Sequence, residues 1–229
     1  MYVDFHAHIL PQADHGCENV EMALSQLKYA EEAGVDTVIA TPHFYPDSDT
    51  VDEFLRRREE AYAALSGVYH GNVNIVLGAE VQLAMGIERL EGLEKLCIGD
   101  TGCLLVEFPS EPWPYWIFDS VTEIARTRRL RPICAHIDRY SHIGRAKILK
   151  LNMDVQLNAS AFLESFRHRR EYINLIADDE VHILGSDVHG DGKLAYRDFT
   201  RAVKKIGRFM PYLTENARKI LARKNKGHS

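Results

Sequence analysis

The sequence has few cysteines, no long apolar run and no surplus of positive charge. Its four cysteines, Cys17, Cys97, Cys103 and Cys134, form no C-x-x-C pair, which argues against a disulfide framework and is typical of reduced thiols. No apolar stretch approaches the roughly 18 residues of a membrane span, and the N-terminus lacks the basic and apolar regions of a signal peptide. The formal net charge of −5 argues against nucleic-acid binding. We therefore expect a cytoplasmic protein with no membrane span and no nucleic-acid partner.

Short apolar runs alternate with longer amphipathic stretches along the 229 residues. This alternation indicates an α/β fold with a parallel sheet, and its regularity favours a barrel over an open sheet. We predict one domain over residues 1–222 and a basic, disordered tail over residues 223–229. The predicted strands are Tyr2–Phe5, Thr37–Ala40, Val73–Leu77, Cys103–Glu107, Pro132–His136, Asp154–Asn158 and His182–Ser186.

Residue types that bind metal ions stand where the predicted strands end. The active sites of parallel barrels lie at the carboxyl ends of the strands, so these side chains are expected to converge on one face. The residues concerned are His6, His8, His43, Glu80, Glu107, His136, Asp187 and His189.

A single histidine near a strand end is more often a structural residue than a metal ligand. Glu107, however, ends the apolar run Leu104-Leu105-Val106, where a carboxylate is costly unless it is paired or bound to a metal. Asp187 follows Ile183-Leu184-Gly185-Ser186 in the same way. The convergence of several such residues on one barrel mouth favours a metal site over the structural interpretation.

The predicted ligands are nitrogen and oxygen atoms without thiolate, a set that suits catalytic Mn²⁺, Fe²⁺ or Zn²⁺. More than six ligands exceed the needs of one ion, so two or three ions are expected. Clustered cations can activate water at neutral pH and neutralise a phosphoryl group. Phosphoester hydrolysis is therefore the reaction that this set of residues favours.

Several longer motifs carry a specific resemblance. They are Asp4-Phe5-His6-Ala7-His8-Ile9-Leu10-Pro11, Asp14-His15-Gly16, Ala40-Thr41-Pro42-His43, Gly78-Ala79-Glu80, Val106-Glu107-Phe108-Pro109, Ala135-His136-Ile137-Asp138-Arg139 and Ser186-Asp187-Val188-His189. In order and spacing they resemble the PHP (polymerase and histidinol phosphatase) superfamily. Over its whole length the chain resembles the bacterial manganese-dependent protein-tyrosine phosphatases of capsular and extracellular polysaccharide operons. The resemblance implies a distorted seven-stranded (β/α)₇ TIM-like barrel that holds three divalent ions, with Mn²⁺ expected ahead of Fe²⁺ or Zn²⁺.

The resemblance also implies a role for each matching residue. Arg139, Asp187 and His136 would be catalytic, and Arg139 would contact the phosphate. One ion would be bound by His6, His8, Glu80 and Asp187; a second by Glu80, Glu107 and His136; and a third by His15, His43 and His189. For Arg139, the alternative is a salt bridge to Asp138.

The chain departs from the family pattern at three positions. His15 stands where relatives usually carry a second aspartate, which leaves Asp14 as an alternative ligand. Asp138 replaces the usual glutamate before Arg139. No arginine directly follows His189, so Lys193 or Arg197 would have to take the place of a second phosphate-binding arginine.

The resemblance implies an enzyme that hydrolyses phosphotyrosine on a protein, a bacterial tyrosine kinase that governs exopolysaccharide export. One of the aromatic residues Phe44, Tyr45, Trp113, Tyr115 and Trp116 can stack on the phosphotyrosine ring; the alternative for these residues is ordinary loop packing and helix capping over the barrel. No Cys-x₅-Arg loop is present, so a covalent cysteine intermediate is not expected. The alternatives are a small-molecule phosphatase such as histidinol-phosphate phosphatase, a non-catalytic metal-binding module and, more weakly, a DNA exonuclease. The oligomeric state stays open.

Overall fold

The structure, a computed structural model, describes residues 1–224, so residues 225–229 of the predicted tail lie outside it. Arg223, the first residue of that tail, lies 3.5 Å from Asp154 through its guanidinium group. In the described part of the chain, nine strands alternate with seven α-helices and several short 3₁₀ helices.

All strand pairs are parallel, and the strands form curled, half-barrel sheets. A three-stranded sheet has the order β1-β2-β4, and a six-stranded sheet has the order β3-β5-β6-β7-β8-β9. The strands are β1 Tyr2–Ala7, β2 Val35–Ala40, β3 His43–Phe44, β4 Asn74–Leu77, β5 Glu80–Gln82, β6 Cys103–Glu107, β7 Arg131–Cys134, β8 Asp154–Asn158 and β9 Ile183–Gly185.

Each of the seven predicted strands has a counterpart, and the two additional strands, β3 and β5, have a local cause. Thr41-Pro42 separates β2 from β3, where proline lacks the N–H that a ladder needs, and Gly78-Ala79 separates β4 from β5. Pairing nevertheless continues across the interruption, because Gly78 N donates to Ala40 O at 2.8 Å and Glu80 N donates to Pro42 O at 3.0 Å. At these two interruptions the sheets differ from the expected single ring of seven strands.

The α-helices other than the last cover the outer face of the sheets. The α-helices are α1 Val20–Glu32, α2 Val51–Ser66, α3 Trp116–Thr127, α4 His142–Ile148, α5 Phe166–Ala177, α6 Lys193–Ile206 and α7 Met210–Leu221. Local sequence explains several ends: Asn19, Thr50, Ser141 and Ser165 cap helix N-termini through side-chain oxygens, and Gly34 follows α1 with a φ of 80°. The last helix begins at Met210, and Pro211 fits its first turn, where the missing N–H of proline costs no hydrogen bond.

Two apolar layers hold the sheets in place. The alternating residues Val3, Phe5, Leu105 and Ile133 pack inside the curl, while the opposite faces of the same strands pack against the helices. Helix α7 closes the end of the curl where the strands begin: Asn216 donates to His182 O just before β9. The carboxyl ends of the strands are therefore left for the site. No helix among the described residues is both long and apolar enough to cross a lipid bilayer.

Candidate metal centre

Eight of the nine predicted metal ligands meet at the carboxyl ends of the parallel strands, as expected from the sequence. Six of the side chains lie at or shortly after the end of a strand, while His43 and Glu80 are the first residues of β3 and β5, just beyond the ends of β2 and β4. The backbone of β1 is tied to the segment after β9 by Asp187 N donating to His6 O at 2.8 Å. The eight residues are His6, His8, His43, Glu80, Glu107, His136, Asp187 and His189.

Glu80 lies at the centre of this group and is only 1% exposed. Its Oε2 atom lies 3.1 Å from His6 Nε2, 3.3 Å from His8 Nε2 and 3.0 Å from His43 Nδ1. Its Oε1 atom lies 2.7 Å from His136 Nε2. One carboxylate thus faces four imidazoles, with each oxygen turned to a different part of the group.

Asp187 approaches the same histidines from the β9 side. Its Oδ1 atom lies 3.8 Å from His6 Nε2, 3.6 Å from His8 Nε2 and 3.6 Å from His189 Nδ1. Its Oδ2 atom turns away and pairs with the guanidinium group of Arg139.

Four buried atoms of the group have no hydrogen-bond partner within residues 1–224: Glu80 Oε2, Asp187 Oδ1, His43 Nδ1 and His136 Nδ1. A buried polar atom without a partner is costly, so such a concentration needs an explanation. Three of these atoms, Glu80 Oε2, His43 Nδ1 and Asp187 Oδ1, face nitrogen or oxygen atoms of other members of the group without hydrogen-bond geometry, an arrangement that suits a divalent cation. The residues present therefore fit the ions that the sequence predicts.

Three groups of ligand atoms lie close enough to share an ion, with all atoms of a group within 4.8 Å of one another. They are His6, His8 and Asp187; His43, Glu80 and Glu107; and His8, His43 and His189. The first agrees with three of the four ligands expected for the first ion. In the second and third, His43 and His8 stand where His136 and His15 were expected, although His136 Nε2 also lies 3.4 Å from Glu107 Oε1.

The ring of His15 is exposed and stacks on the edge of the group. Its centroid lies 4.9 Å from that of His43 and 5.1 Å from that of His189. Asp14, the alternative ligand, instead supports two of the histidines, since its Oδ2 atom lies 2.6 Å from His8 Nδ1 and accepts from His43 N at 2.9 Å. A carboxylate behind a histidine in this way orients the ring and makes its other nitrogen a better ligand.

Strained backbone turns two of the side chains into the site. His136 and Asp187 have φ values of 29° and 53°, in the left-handed region that residues with a side chain rarely adopt. Each stands just beyond the end of its strand. Such strain is found at functional sites, where the surrounding structure maintains it.

Burial and the neighbouring carboxylates shift the pKa values of the histidines in this group in different directions. Burial favours the neutral ring of His8, but the hydrogen bond to Asp14 and the nearby carboxylate of Glu80 outweigh it and raise its pKa to about 10. For His136, burial is likewise outweighed by Glu107 and Glu80, which raise its pKa to about 9. Burial lowers the pKa of His43 to about 4. His8 and His136 must release a proton to bind a cation, so metal binding is linked to proton release.

Arg139 borders the group and is half exposed. Its guanidinium group pairs with Asp187 and lies 4.0 Å from Glu107 Oε1. The alternative of a salt bridge to Asp138 is not realised, since Asp138 Oδ1 instead accepts from Asn158 N at 2.9 Å. Arg139 is thus a cation at the mouth of the site whose partners are predicted metal ligands.

A cleft of about 350 Å³ opens at this point and is lined by Glu107, His136 and Arg139. A larger cavity of about 870 Å³ lies near the other ends of the strands, beside Arg131 and Asp154. The larger cavity is remote from the metal ligands, so the smaller cleft is the candidate substrate site.

The structure does not bring Lys193 into the group. It is the first residue of α6 and is exposed, and its backbone N donates to Asp191 Oδ1 at 3.0 Å. Arg197, one turn later, has its side chain beside Asp198. A role for either residue in substrate binding stays a prediction.

The five aromatic residues predicted near the site divide into two kinds. Phe44 and Trp113 are buried in the core, and Trp116 is partly buried and packs against it. Tyr45 stacks on His43 with centroids 5.1 Å apart, and Tyr115 is 90% exposed. Tyr45 and Tyr115 are therefore the members of this set best placed to meet a substrate ring.

Sequence reasoning missed the residues that support the ligands from behind. Gln156 and Asn158 on β8 contact His6, His136 and Asp187. The available signal was the alternation Asp154-Val155-Gln156-Leu157-Asn158, which places two amides on one face of a buried strand.

Asp4 was missed in the same way. It is fully buried, accepts from Ser186 N at 2.7 Å and from the hydroxyl of Tyr196 at 2.9 Å, and so holds the strand that carries His6 against the segment that carries Asp187. Gly185 allows this close approach, because a Cβ at that position would lie 2.7 Å from His6 Cβ.

All four cysteines are buried and unpaired, as predicted. Burial raises the pKa of every thiol, to about 11 for Cys17 and about 12 for Cys97. Because the thiolate is the reactive form, none of them is suited to act as a nucleophile at neutral pH.

The amino-acid sequence of the chain matches a known protein family. Residues 2–225 match the family model described as capsular polysaccharide synthesis, CpsB/CapC. The chain belongs to the CpsB/CapC family. It is 28% identical to CapC of Staphylococcus aureus, covering 82% of this chain and 76% of the relative. It is also 24% identical to the tyrosine-protein phosphatase CpsB of Streptococcus pneumoniae, covering 96% of this chain and 98% of the relative.

Solved structures of other proteins are similar in fold to this CpsB/CapC chain. One match is to the crystal structures of YwqE from Bacillus subtilis and CpsB from Streptococcus pneumoniae, described as unique metal-dependent tyrosine phosphatases, with a TM-score of 0.77, 20% identity and coverage of 97% and 95% of the two chains. Histidinol phosphate phosphatase from Lactococcus lactis, complexed with zinc, L-histidinol and phosphate, matches with a TM-score of 0.54 and 12% identity, over 90% and 94% of the two chains.

Proposed function

We propose that this chain is a metal-dependent phosphatase that hydrolyses phosphotyrosine on proteins. The observation that carries the proposal is the group of buried, unpaired nitrogen and oxygen atoms around Glu80, with Arg139 beside it at an open cleft. Relatives named tyrosine-protein phosphatases that align over nearly the whole chain support the substrate class.

Three divalent cations are proposed for the site, with Mn²⁺ ahead of Fe²⁺ or Zn²⁺. The first would be held by His6, His8, Glu80 and Asp187; the second by Glu80, Glu107 and His136; and the third by His15, His43 and His189. When bound, such ions lower the pKa of a water molecule and neutralise charge on a phosphoryl group.

Arg139 is proposed to hold the phosphate. A guanidinium group is always charged and offers a planar fork of donors that matches two phosphate oxygens. To do so it must exchange Asp187 for the phosphate. Asp187 keeps its place during this exchange, because its Oδ2 atom also accepts from Asn158 Nδ2 at 3.1 Å.

His136 and Asp187 are proposed to act through their fixed positions. His136 Nε2 is held against Glu80 Oε1 at 2.7 Å, and Asp187 Oδ1 faces the rings of His6 and His8. Their strained backbone keeps both groups aimed at the reacting phosphate and limits the reorganisation that the reaction requires.

The surface around the site supports a protein substrate rather than a small molecule. Each of the five segments that follow β5, β6, β7, β8 and β9 carries one exposed large apolar side chain, and together they form what we call the apolar rim. Its members are Met85, Tyr115, Ile143, Phe166 and Leu194. The first turns of α5 add Arg167, Arg169 and Arg170, whose charge suits an acidic phosphorylated segment.

The proposal also covers the barrel fold and the cellular role of the protein. If β2 with β3 and β4 with β5 are each counted as one interrupted strand, the sheets contain seven strand positions, and the bridge from Ala7 to Val188 joins the first to the last. This supports a distorted seven-stranded barrel over residues 1–222. We place the enzyme in the cytoplasm, acting on a bacterial tyrosine kinase in capsule or exopolysaccharide synthesis.

The test compares turnover of a phosphotyrosine peptide with that of histidinol phosphate, using the same preparation with Mn²⁺ supplied. The proposal predicts that the peptide is the better substrate by kcat/KM. A preference for histidinol phosphate would reassign the chain to small-molecule hydrolysis, and metal binding without turnover of either compound would make it a binding module.

A further inference from the structure

Two amide side chains on β8 form a continuous chain of hydrogen bonds behind the proposed metal site. Gln156 is fully buried and Asn158 is 4% exposed. Gln156 Oε1 lies 2.5 Å from His136 N and 3.2 Å from His6 Nδ1. Gln156 Nε2 donates to Asn158 Oδ1 at 2.9 Å, and Asn158 Nδ2 donates to Asp187 Oδ2 at 3.1 Å.

The donor-to-acceptor direction of these hydrogen bonds is set by the groups at the two ends of the series. At one end, the backbone N–H of His136 can only donate, so the atom of Gln156 that meets it must be the carbonyl oxygen. At the other end, the carboxylate of Asp187 can only accept while ionised, so the atom of Asn158 that meets it must be the amide nitrogen. The middle link, from Gln156 nitrogen to Asn158 oxygen, follows from both.

This direction has a consequence for each metal ligand. Since Gln156 presents an oxygen, a neutral His6 must carry its proton on Nδ1, which leaves the lone pair on Nε2, 3.1 Å from Glu80 Oε2. Since Asn158 occupies Oδ2 of Asp187, the Oδ1 atom is left without a hydrogen bond and faces the histidines.

We propose that Gln156 and Asn158 are positioning residues that hold His6 in its Nδ1–H tautomer and select Oδ1 of Asp187 as the atom that binds a cation. The proposal rests on the metal-dependent function proposed above. It extends that function to two residues that touch neither substrate nor cation. Asn158 is itself anchored, because its backbone N donates to Asp138 Oδ1.

The tautomer is tested in the metal-free protein, labelled with ¹⁵N-histidine, by NMR at a pH where the ¹⁵N signals of His6 are those of a neutral ring. His6 is assigned from the signal that disappears in His6→Asn. The wild type and Asn158→Ala should show the Nδ1–H form of His6. Gln156→Met should show the Nε2–H form or a mixture, since it offers no acceptor. An unchanged His6 tautomer in Gln156→Met would overturn the proposal.

Cation affinity gives a second readout that does not depend on turnover. Loss of a partner that orients a metal ligand typically weakens binding about 10–100-fold. We expect a weakening in this range for Gln156→Met and Asn158→Ala, measured by competition with a chelating dye. Gln156→Glu should keep the His6 tautomer yet bind cations more weakly, because it has no proton to donate to Asn158. If Gln156→Met does not fold, Gln156→Glu takes its place in the affinity measurement. Unchanged cation affinity in Gln156→Glu would contradict the proposal.

Gln26→Met is the matched control. Gln26 is another fully buried glutamine, and its amide nitrogen donates to Gly190 O at 2.6 Å without meeting a ring nitrogen. This variant should leave the His6 tautomer as in the wild type. The readouts also separate the two proposals: absence of phosphatase turnover with the expected tautomers would contradict only the proposed function, while normal turnover with an unchanged tautomer in Gln156→Met would contradict only the positioning role.

Discussion

Oε2 of Glu80 lies 3.0 Å from Nδ1 of His43, yet the two atoms form no hydrogen bond. Both are buried, and neither has another partner within residues 1–224. Burial raises the pKa of Glu80, but the nearby ring of His6 and the hydrogen bond to His136 outweigh this effect and hold its pKa well below the usual value. An ionised carboxylate surrounded by imidazole nitrogens is an arrangement suited to metal binding rather than to a structural hydrogen bond.

Replacement of Glu80 by Gln should therefore remove more metal than replacement of any other proposed ligand. Glu80 is the residue proposed to bridge two ions, so its loss should release both, whereas His189→Ala should release one. Elemental analysis of the purified variants measures this directly. Glu60→Gln is the control, because Glu60 is exposed and pairs with Arg56. Equal metal content in Glu80→Gln and the wild type would rule out the bridging role.

Arg139→Ala should retain fold and metal content but lose about 10²–10³ in kcat, the usual cost of removing one preorganised donor to transition-state charge. Arg139→Lys should recover only part of the loss, since an ammonium group cannot make the paired contact of a guanidinium. Arg128→Ala is the control, because Arg128 pairs with Glu94 on another part of the fold. Unfolding of Arg139→Ala, seen by circular dichroism, would indicate a structural role instead.

His15 is expected to influence which metal is preferred. The proposed third position would be the exception to the preference for Mn²⁺. Its three imidazoles would favour Zn²⁺ or Fe²⁺, because affinity rises from Mn²⁺ towards Zn²⁺ and carboxylate oxygen suits Mn²⁺ better. His15→Asp should therefore shift activity towards Mn²⁺ dependence without abolishing it. Metal analysis of His15→Ala and Asp14→Ala separates the two candidates. If Asp14→Ala loses an ion and His15→Ala loses none, Asp14 rather than His15 is required there, through its contact with His8 or directly.

The apolar rim should matter for peptides and not for small substrates. Ile143→Ser and Phe166→Ser are each expected to raise KM for a phosphotyrosine peptide with apolar flanking residues by about fivefold, equivalent to roughly 1 kcal/mol. Turnover of p-nitrophenyl phosphate should stay unchanged. Val68→Ser is the matched control, since Val68 is 49% exposed but precedes β4 at the other end of the sheet. Equal effects on both substrates would remove the rim from peptide recognition.

Much of the architecture could be predicted from local sequence. The seven predicted strands all have counterparts because short, buried, β-branched runs bounded by turn residues leave few alternatives. The nine-strand arrangement was not predicted, because periodicity alone does not reveal that Pro42 and Gly78 each interrupt a strand while pairing continues beside it.

The candidate site could likewise be predicted only in part. Parallel strands bring their carboxyl ends together, so the convergence of His6, Glu80 and Asp187 follows from their positions at strand ends. The roles of Gln156 and Asp14 did not follow, because a supporting contact depends on the relative rotation of two elements that are distant in sequence. Which ligands share an ion depends on differences of about an ångström, which sequence spacing cannot provide.

The most direct test of the metal-dependent mechanism is phosphotyrosine-peptide turnover after chelation, followed by addition of Mn²⁺, beside a sample treated with iodoacetamide. A metal-dependent phosphatase should lose its activity on chelation, regain it with Mn²⁺ and stay active after alkylation, since all four thiols are buried and have raised pKa values. Activity that survives chelation but is lost on alkylation would contradict the metal-based mechanism.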